Sequence, residues 1–162
     1  MKFERYKESK DFWQAECLKE CNQSVEELDE LYRYLKFTMN DNSAYLWEDR
    51  FPVSQAVIVC KIDNCAQIGD VYTPPFYRKK GYATSLVSAL THIILAERSK
   101  RLSVLLADAA NPTSCAIYRK IGYEEVSVID EVSLQLRPSS FHTSMASAIT
   151  NSVVSMFSTS DA

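Results

Sequence analysis

Two adjacent prolines, Pro74 and Pro75, separate a run that reads as a strand, Gln67–Thr73, from an apolar helical pattern opening at Gly81. Neither proline has an amide to donate, so a ladder begun at Gln67 must end there. Beyond them Ala83, Leu86, Val87, Leu90, Ile93 and Ile94 recur on one helical face. The chain must therefore turn from strand to helix across Phe76–Lys80, and it does so over three consecutive cations, Arg78, Lys79 and Lys80. A helix starting near Gly81 leaves its first amides without intrahelical partners, and its dipole places partial positive charge at the same point. Gly81 lets the backbone turn sharply and approach a ligand closely. One dipole contact is worth only ~0.3–1 kcal/mol, but several amides joined by cations suit a diphosphate on a nucleotide-like anion. The competing reading of an isolated RKKG is a solvated basic loop. Neither GxxxxGK[ST] nor GxGxxG occurs, and three glycines in the whole chain leave no Gly-rich phosphate cradle elsewhere.

The rest of the chain places this junction in a sheet. Glu4–Glu20 and Val25–Met39 read as helices, the second with Val25, Leu28, Leu31, Tyr32 and Leu35 at helical spacing and a Ser24/Glu27 capping box. Ala44–Trp47 follows, then a turn over Asp49–Pro52. Ala56–Ile62 is apolar without alternation, as a strand covered on both faces would be. Asp63 and Asn64 turn the chain into Gln67–Thr73. Leu102–Ala107 is a further buried strand, and Pro112 suits the first turn of a short helix ending near Gly122. Two alternating runs close the series, Val126 and Val128, then Val132, Leu134 and Leu136. Strands joined by tight turns should be antiparallel and the strand–helix–strand unit parallel. The expected fold is α/β, a mixed, mainly antiparallel sheet flanked by helices.

At 162 residues the chain is most simply one domain. A net charge of -3 argues against a nucleic-acid binder, which needs a basic face. No apolar run approaches the ~20 residues of a membrane span, and MKFERYKESKDF has no signal-peptide core, so a cytoplasmic protein without a membrane partner is expected. Of the five cysteines, Cys17 and Cys21 sit one helical turn apart, but with only His92 and His142 beside them no metal is expected. From Arg137 the composition turns Ser/Thr-rich. The expected division is a domain over 1–136 and a flexible tail over 137–162, with Phe141, Met145, Ile149, Val153 and Met156 as a weak helical stripe.

RKKGYA, Arg78–Ala83, matches the [QR]-x-x-G-x-[GA] signature of the GNAT superfamily of acetyl-CoA-dependent N-acetyltransferases. VYTPPFYRKKGYATSLVSAL resembles that family's acetyl-CoA-binding segment. ADAANPTSCAIYRKIGY, Ala107–Tyr123, resembles its second cofactor segment, and AYLWEDRFPVSQAVI its preceding strand pair. The resemblance runs from about Ser24 to Leu136 and implies a GNAT-like acyl-CoA N-acyltransferase fold. It also implies acetyl-CoA as acetyl donor and a small-molecule or peptide amine as acceptor.

On that resemblance the cofactor pyrophosphate rests on the amides of Arg78, Lys79, Lys80, Gly81, Tyr82, Ala83 and Thr84. The pantetheine arm pairs with Val71, Tyr72 and Thr73. Asn111 contacts the cofactor and Ser114 lines the same groove. Tyr118 matches the tyrosine that protonates or hydrogen-bonds the departing thiolate. An alkylamine acceptor must lose a proton before attack, at about 4.6 kcal/mol at pH 7. Asp108, Asp70 or a water molecule is the base. An arylamine would need none of them.

The chain also departs from the family pattern. Phe76 stands where an acidic residue is usual, and Lys79 where glycine is usual, although a lysine at negative φ still offers its amide. Cys115 and Ala116 replace polar residues, and Cys115 reads as a small buried apolar group rather than a nucleophile. The family begins with a strand, for which only MKFERY is present, so that strand is either absent or supplied from upstream. Direct acetyl transfer is the leading reading, a non-catalytic acyl-CoA-binding module the second, and an interaction domain using the Ser-rich tail the third. Acceptor identity and oligomeric state are not specified by the residues.

Overall fold

In a computed structural model the described residues are 2–5, 43–97, 100–135 and 147–160. They hold seven strands and two α-helices: β1 Lys2–Arg5, β2 Ala44–Asp49, β3 Phe51–Ile62, β4 Cys65–Tyr72, α1 Tyr82–His92, β5 Leu102–Asp108, α2 Pro112–Ile121, β6 Glu124–Gln135 and β7 Ser147–Thr159. The chain divides into two compact units, the first ending at Leu105 and regaining the last residues from Thr159, the second spanning Leu106–Ser158.

In the first unit the strands run β1-β2-β3-β4-β5. The first four pair antiparallel, while β4 and β5 pair in parallel from Cys65↔Leu102 to Ile68↔Leu105. The parallel step is the one bridged by α1, as a crossover requires. Ile58, Ile68 and Leu105 lie side by side across three strands, each at most 2% exposed. α1 buries Leu86, Val87 and Leu90 and packs against β2, β3 and β4. A second cluster joins Ala44, Leu46 and Val57, with Val59 and Tyr72 packed against it.

Strand β3 is longer than its apolar run suggested. Its buried stretch is Val53–Ile58, while Cys60, Lys61 and Ile62, expected to be covered, are exposed. The turn expected over Asp49–Pro52 tightens to Arg50, at φ 67°, with Asp49 already opposite Phe51. Pro52 is tolerated because the register shifts between Trp47 and Glu48.

The strand left in doubt at the start of the chain is present. Lys2–Arg5 pairs with Tyr45–Glu48, so Glu4 and Arg5 belong to a strand rather than to the helix expected from Glu4. The remainder of that helix, and the one expected over Val25–Met39, lie outside the described residues.

The second unit holds the end of β5, then α2, β6 and β7, with β7 between β5 and β6. Two expectations are corrected here. The runs around Val126–Val128 and Val132–Leu134 form one 12-residue strand, β6. All four residues share one parity, and Ile129–Asp130–Glu131 holds neither glycine nor proline to break the strand. The tail expected to be flexible contains β7, 13 residues antiparallel to β6. Its β-branched and hydroxyl side chains suit a pleated surface, and the buried residues among 153–159, Ser155 and Phe157, alternate with period 2 rather than at helical spacing. The residues of 137–146 are outside the description.

Candidate functional site

The first group of expected site residues lies in the first unit. Between β3 and β4, Val57 faces Gly69 while Gln55 faces Tyr72, so β4 carries one more residue than β3 over this interval. The bulge falls at Asp70, which sits at φ 49° and is exposed. Aspartate is among the few residues that enter the left-handed region readily. The charge that looked odd in a strand is thus a bulge residue. Val71, Tyr72 and Thr73 follow, beyond the end of the β5 register at Ile68. Ser54 secures this stretch: its hydroxyl donates to the Tyr72 carbonyl at 3.2 Å and shares a 2.8 Å hydrogen bond with the Thr73 hydroxyl.

The loop is built from short local bonds. The Tyr77 amide donates to the Pro74 carbonyl at 2.8 Å, closing a turn over Pro75–Tyr77. Arg78 folds back, its Nε donating to the Thr73 carbonyl at 2.8 Å and its guanidinium lying 5.9 Å from the Tyr72 ring centre. Lys80 Nζ lies 5.8 Å from the Tyr77 ring centre, and all three cations are exposed. Lys79 adopts φ 62°, which corrects the negative angle its amide was expected to need. The family glycine at this position would meet no penalty there; lysine does.

Gly81, at φ 82°, precedes α1, and a Cβ on it would meet nothing within 4 Å. The backbone here borders open space. The first helical bond runs from Ser85 N to Gly81 O at 2.9 Å, so the amides of Tyr82, Ala83 and Thr84 precede it. Tyr82 is buried, and its hydroxyl donates to Asp49 Oδ2 at the end of β2. That bond to Asp49, then burial, raises the phenol above its ordinary range. Asp49 was missed in the sequence, since nothing local relates it to a tyrosine 33 positions away.

The second group lies in the second unit. Asp108 ends β5 and is exposed; its Oδ1 accepts from the Ala110 amide at 2.9 Å, and its carbonyl accepts from the Asn111 amide at 2.9 Å. Asn111 caps α2, its Oδ1 accepting from the Ser114 amide at 3.1 Å, with Pro112 opening the helix. Ser114 is half-buried. Cys115 is 5% exposed, and its thiol faces the Asp108 carbonyl at 3.8 Å.

Tyr118 is 6% exposed, edge-on to Tyr123 at 6.4 Å between ring centres and 5.9 Å from Phe157. Burial, reinforced by Tyr123 and Cys115, pushes its phenol up to about 12. Around it stands a network that sequence reasoning did not anticipate. Arg119 donates to Glu125 Oε2, Ser155 donates to Glu125 Oε1 at 3.0 Å, and the Arg119 guanidinium lies 5.4 Å from the Phe157 ring centre. The Arg119 bond, then the Ser155 bond, holds the Glu125 carboxyl below its ordinary value.

Among the described residues no group of three or more His, Cys, Asp or Glu side chains is placed to hold a metal ion. No helix among them is long and apolar enough to cross a membrane.

Comparison with known proteins gives three results. The family model described as FR47-like protein matches residues 52–132, half of the chain. No curated protein is a significant sequence match. Solved structures match closely in fold. A ribosomal-protein-alanine N-acetyltransferase from Brucella melitensis matches with TM-score 0.72 at 14% identity, over 99% of each chain. An N-acetyltransferase from Staphylococcus aureus Mu50 has TM-score 0.70 at 12% identity, over 98% of this chain and 97% of that one. Spermidine N-acetyltransferase from Vibrio cholerae, solved with CoA and spermine, has TM-score 0.67 at 14% identity, over 96% and 93%. At these identities the likeness is one of fold. The family match, the fold and the signature loop agree, and the chain belongs to the FR47-like family of GNAT-type acetyltransferase domains.

Proposed function

We propose that the chain is a cytoplasmic N-acetyltransferase that passes an acetyl group from acetyl-CoA directly to a primary amine of a small-molecule or peptide acceptor. The observation that carries this reading is the loop at Lys79–Gly81. Left-handed residues at φ 62° and φ 82° precede α1, beside open space and three exposed cations. Such a turn aims consecutive amides at one point, the requirement for a diphosphate.

Acetyl-CoA, when bound, supplies the thioester acetyl group and the diphosphate. The amides of Arg78–Thr84 would hold the diphosphate, with Arg78 and Lys80 adding charge. The backbone of Val71–Thr73, beyond the β5 register, is suited to pair with the pantetheine arm. The resemblance assigns Asn111 and Ser114, which belong to the second unit, to the cofactor as well.

Tyr118 acts as a hydrogen-bond donor to the leaving sulfur rather than by full proton transfer. With its phenol at about 12 and a thiol near ~8.5, transfer is uphill by roughly 3.5 units, or about 5 kcal/mol. A neutral donor aimed at developing negative charge lowers the barrier without giving up its proton. The acceptor ammonium loses its proton to a carboxylate, directly or through water. Asp108 is the first candidate, since the bond from Ala110 uses only Oδ1; Asp70, exposed on the bulge, is the second.

A second reading, a non-catalytic acyl-CoA-binding module, is favoured by Phe76, an exposed residue standing where the family pattern usually has an acidic one. Calorimetric titration with acetyl-CoA, beside an Arg78→Glu, Lys80→Glu variant, tests both. Micromolar binding lost in the variant supports the groove, and turnover of a screened amine then separates enzyme from module. A folded chain that does not bind acetyl-CoA refutes both readings.

A further inference from the structure

We propose that Asp49 is a positioning residue for the acetyl donor: by holding the Tyr82 phenol it fixes the direction in which the first amides of α1 point. This rests on the reading of the Arg78–Thr84 loop given above.

Lys79 and Gly81 are both in the left-handed region, and open space lies beside Gly81. Within the helix, the first bond is the one from Ser85 to Gly81. Tyr82 is the first helical residue, so its position sets its own amide and those of Ala83 and Thr84. Its ring is 8% exposed and its hydroxyl reaches Asp49. Asp49 is no loop residue: it is the last residue of β2, opposite Phe51 in the β2–β3 ladder. The helix start is thus tied through a phenol to a strand pair. A hydrogen bond to a carboxylate is roughly twice as strong as a neutral one.

The sign of the charge sharpens the inference. A carboxylate near an anion site opposes binding by simple repulsion, so its presence is unfavourable unless the orienting effect outweighs it. Positioning and repulsion predict opposite outcomes for Asp49→Ala and the same direction for Asp49→Asn. Asp49→Asn keeps an acceptor oxygen for the phenol and removes the charge. Asp49→Ala removes both.

The test is the calorimetric affinity for acetyl-CoA of the wild type, Asp49→Asn, Asp49→Ala, Tyr82→Phe and the Asp49→Ala, Tyr82→Phe double variant, with a thermal melt of each. Positioning predicts that Asp49→Ala and Tyr82→Phe each weaken binding about three- to tenfold, the range of one hydrogen bond. The double variant should be no worse than either, and Asp49→Asn should bind at least as tightly as wild type. If Asp49→Ala binds more tightly than wild type, repulsion is the whole effect and the proposal fails. If Tyr82→Phe binds as wild type does, or the two single losses add in the double variant, it fails too. Should Asp49→Ala not fold, Tyr82→Phe still decides the matter, because repulsion alone leaves its affinity unchanged. A wild-type chain that does not bind acetyl-CoA overturns the functional reading and this inference with it. Normal wild-type binding with unchanged variants overturns this inference alone.

Discussion

Lys79 offers the sharpest test of the loop's backbone. At φ 62° it stands where a Cβ costs roughly 1–2 kcal/mol. Glycine removes that strain but regains unfolded-state freedom worth about 0.5–1 kcal/mol. Substituting glycine directly confuses two effects, because it also removes a cation between Arg78 and Lys80. Lys79→Ala removes the charge and keeps the strain, so the difference between Lys79→Gly and Lys79→Ala isolates the backbone. The expected difference is about 0.5–1 kcal/mol in favour of glycine, or roughly 1–4 °C in Tm for a chain of this size. Gly81→Ala supplies the opposite sign: at φ 82° with nothing within 4 Å of the added Cβ, its loss of about 1 kcal/mol is purely conformational. Differential scanning calorimetry of the four proteins at matched salt measures this. A Lys79→Gly variant melting at or below Lys79→Ala refutes the reasoning.

Three further outcomes are expected. Because the Tyr118 phenol is raised from 10.0 to about 12, its contribution is complete below the unfolded value and is lost as pH rises through that window. Denaturant unfolding from pH about 8 to about 11 should show wild type losing stability relative to Tyr118→Phe, and a constant difference contradicts this. Glu125 has the opposite sign: its carboxyl is lowered from 4.5 by Arg119 and then Ser155, so its contribution is present above 4.5 and lost as pH falls through the lower folded value. Glu125→Gln should flatten that acid limb, and an unchanged limb in unfolding curves counts against the network. In Gly69→Ala the new Cβ would lie 2.9 Å from Val59 Cγ1, an overpacking cost of about 1–3 kcal/mol. Val59→Ala should recover part of the lost Tm, and losses that simply add would show the two do not touch.

How much of this was legible depended on how local the cause is. Pro74, Pro75, Gly81, Pro112 and Gly122 act within a few residues, and the junctions they mark stand where expected, with Gly81 and Gly122 both left-handed. The parallel step between β4 and β5 followed from the helix that bridges it. Other features have distant causes. β1 is charged and short, and is a strand because Lys2–Arg5 meets a ladder formed by residues 40 to 46 positions on. β7 reads as a polar tail until β6 lies beside it, and then Phe157 is buried and Ser155 has Glu125 to bond. In the site, the cations and the capping asparagine were visible in the motif, whereas the sign of φ at Lys79 and the reach of Tyr82 to Asp49 were not. A motif records which residues stand in order, and a bulge or a phenol's partner is decided by the neighbouring strand.

The edge at β6 bears on how the chain keeps company with copies of itself. Among the described residues it is the last strand in its order, and Glu124–Asp130 is exposed throughout, with Val126 and Val128 more than half so. A long bare edge of this kind invites another to zip onto it. An antiparallel pairing of two copies centred on Ser127 would set Glu124 of each against Asp130 of the other, and like charges directly opposed are destabilising. In that register the edge carries like charges that disfavour its joining to a copy of itself. Light scattering on heating should rise earlier in a Glu124→Gln, Asp130→Asn variant than in wild type, and equal curves would show that this edge is not where association starts.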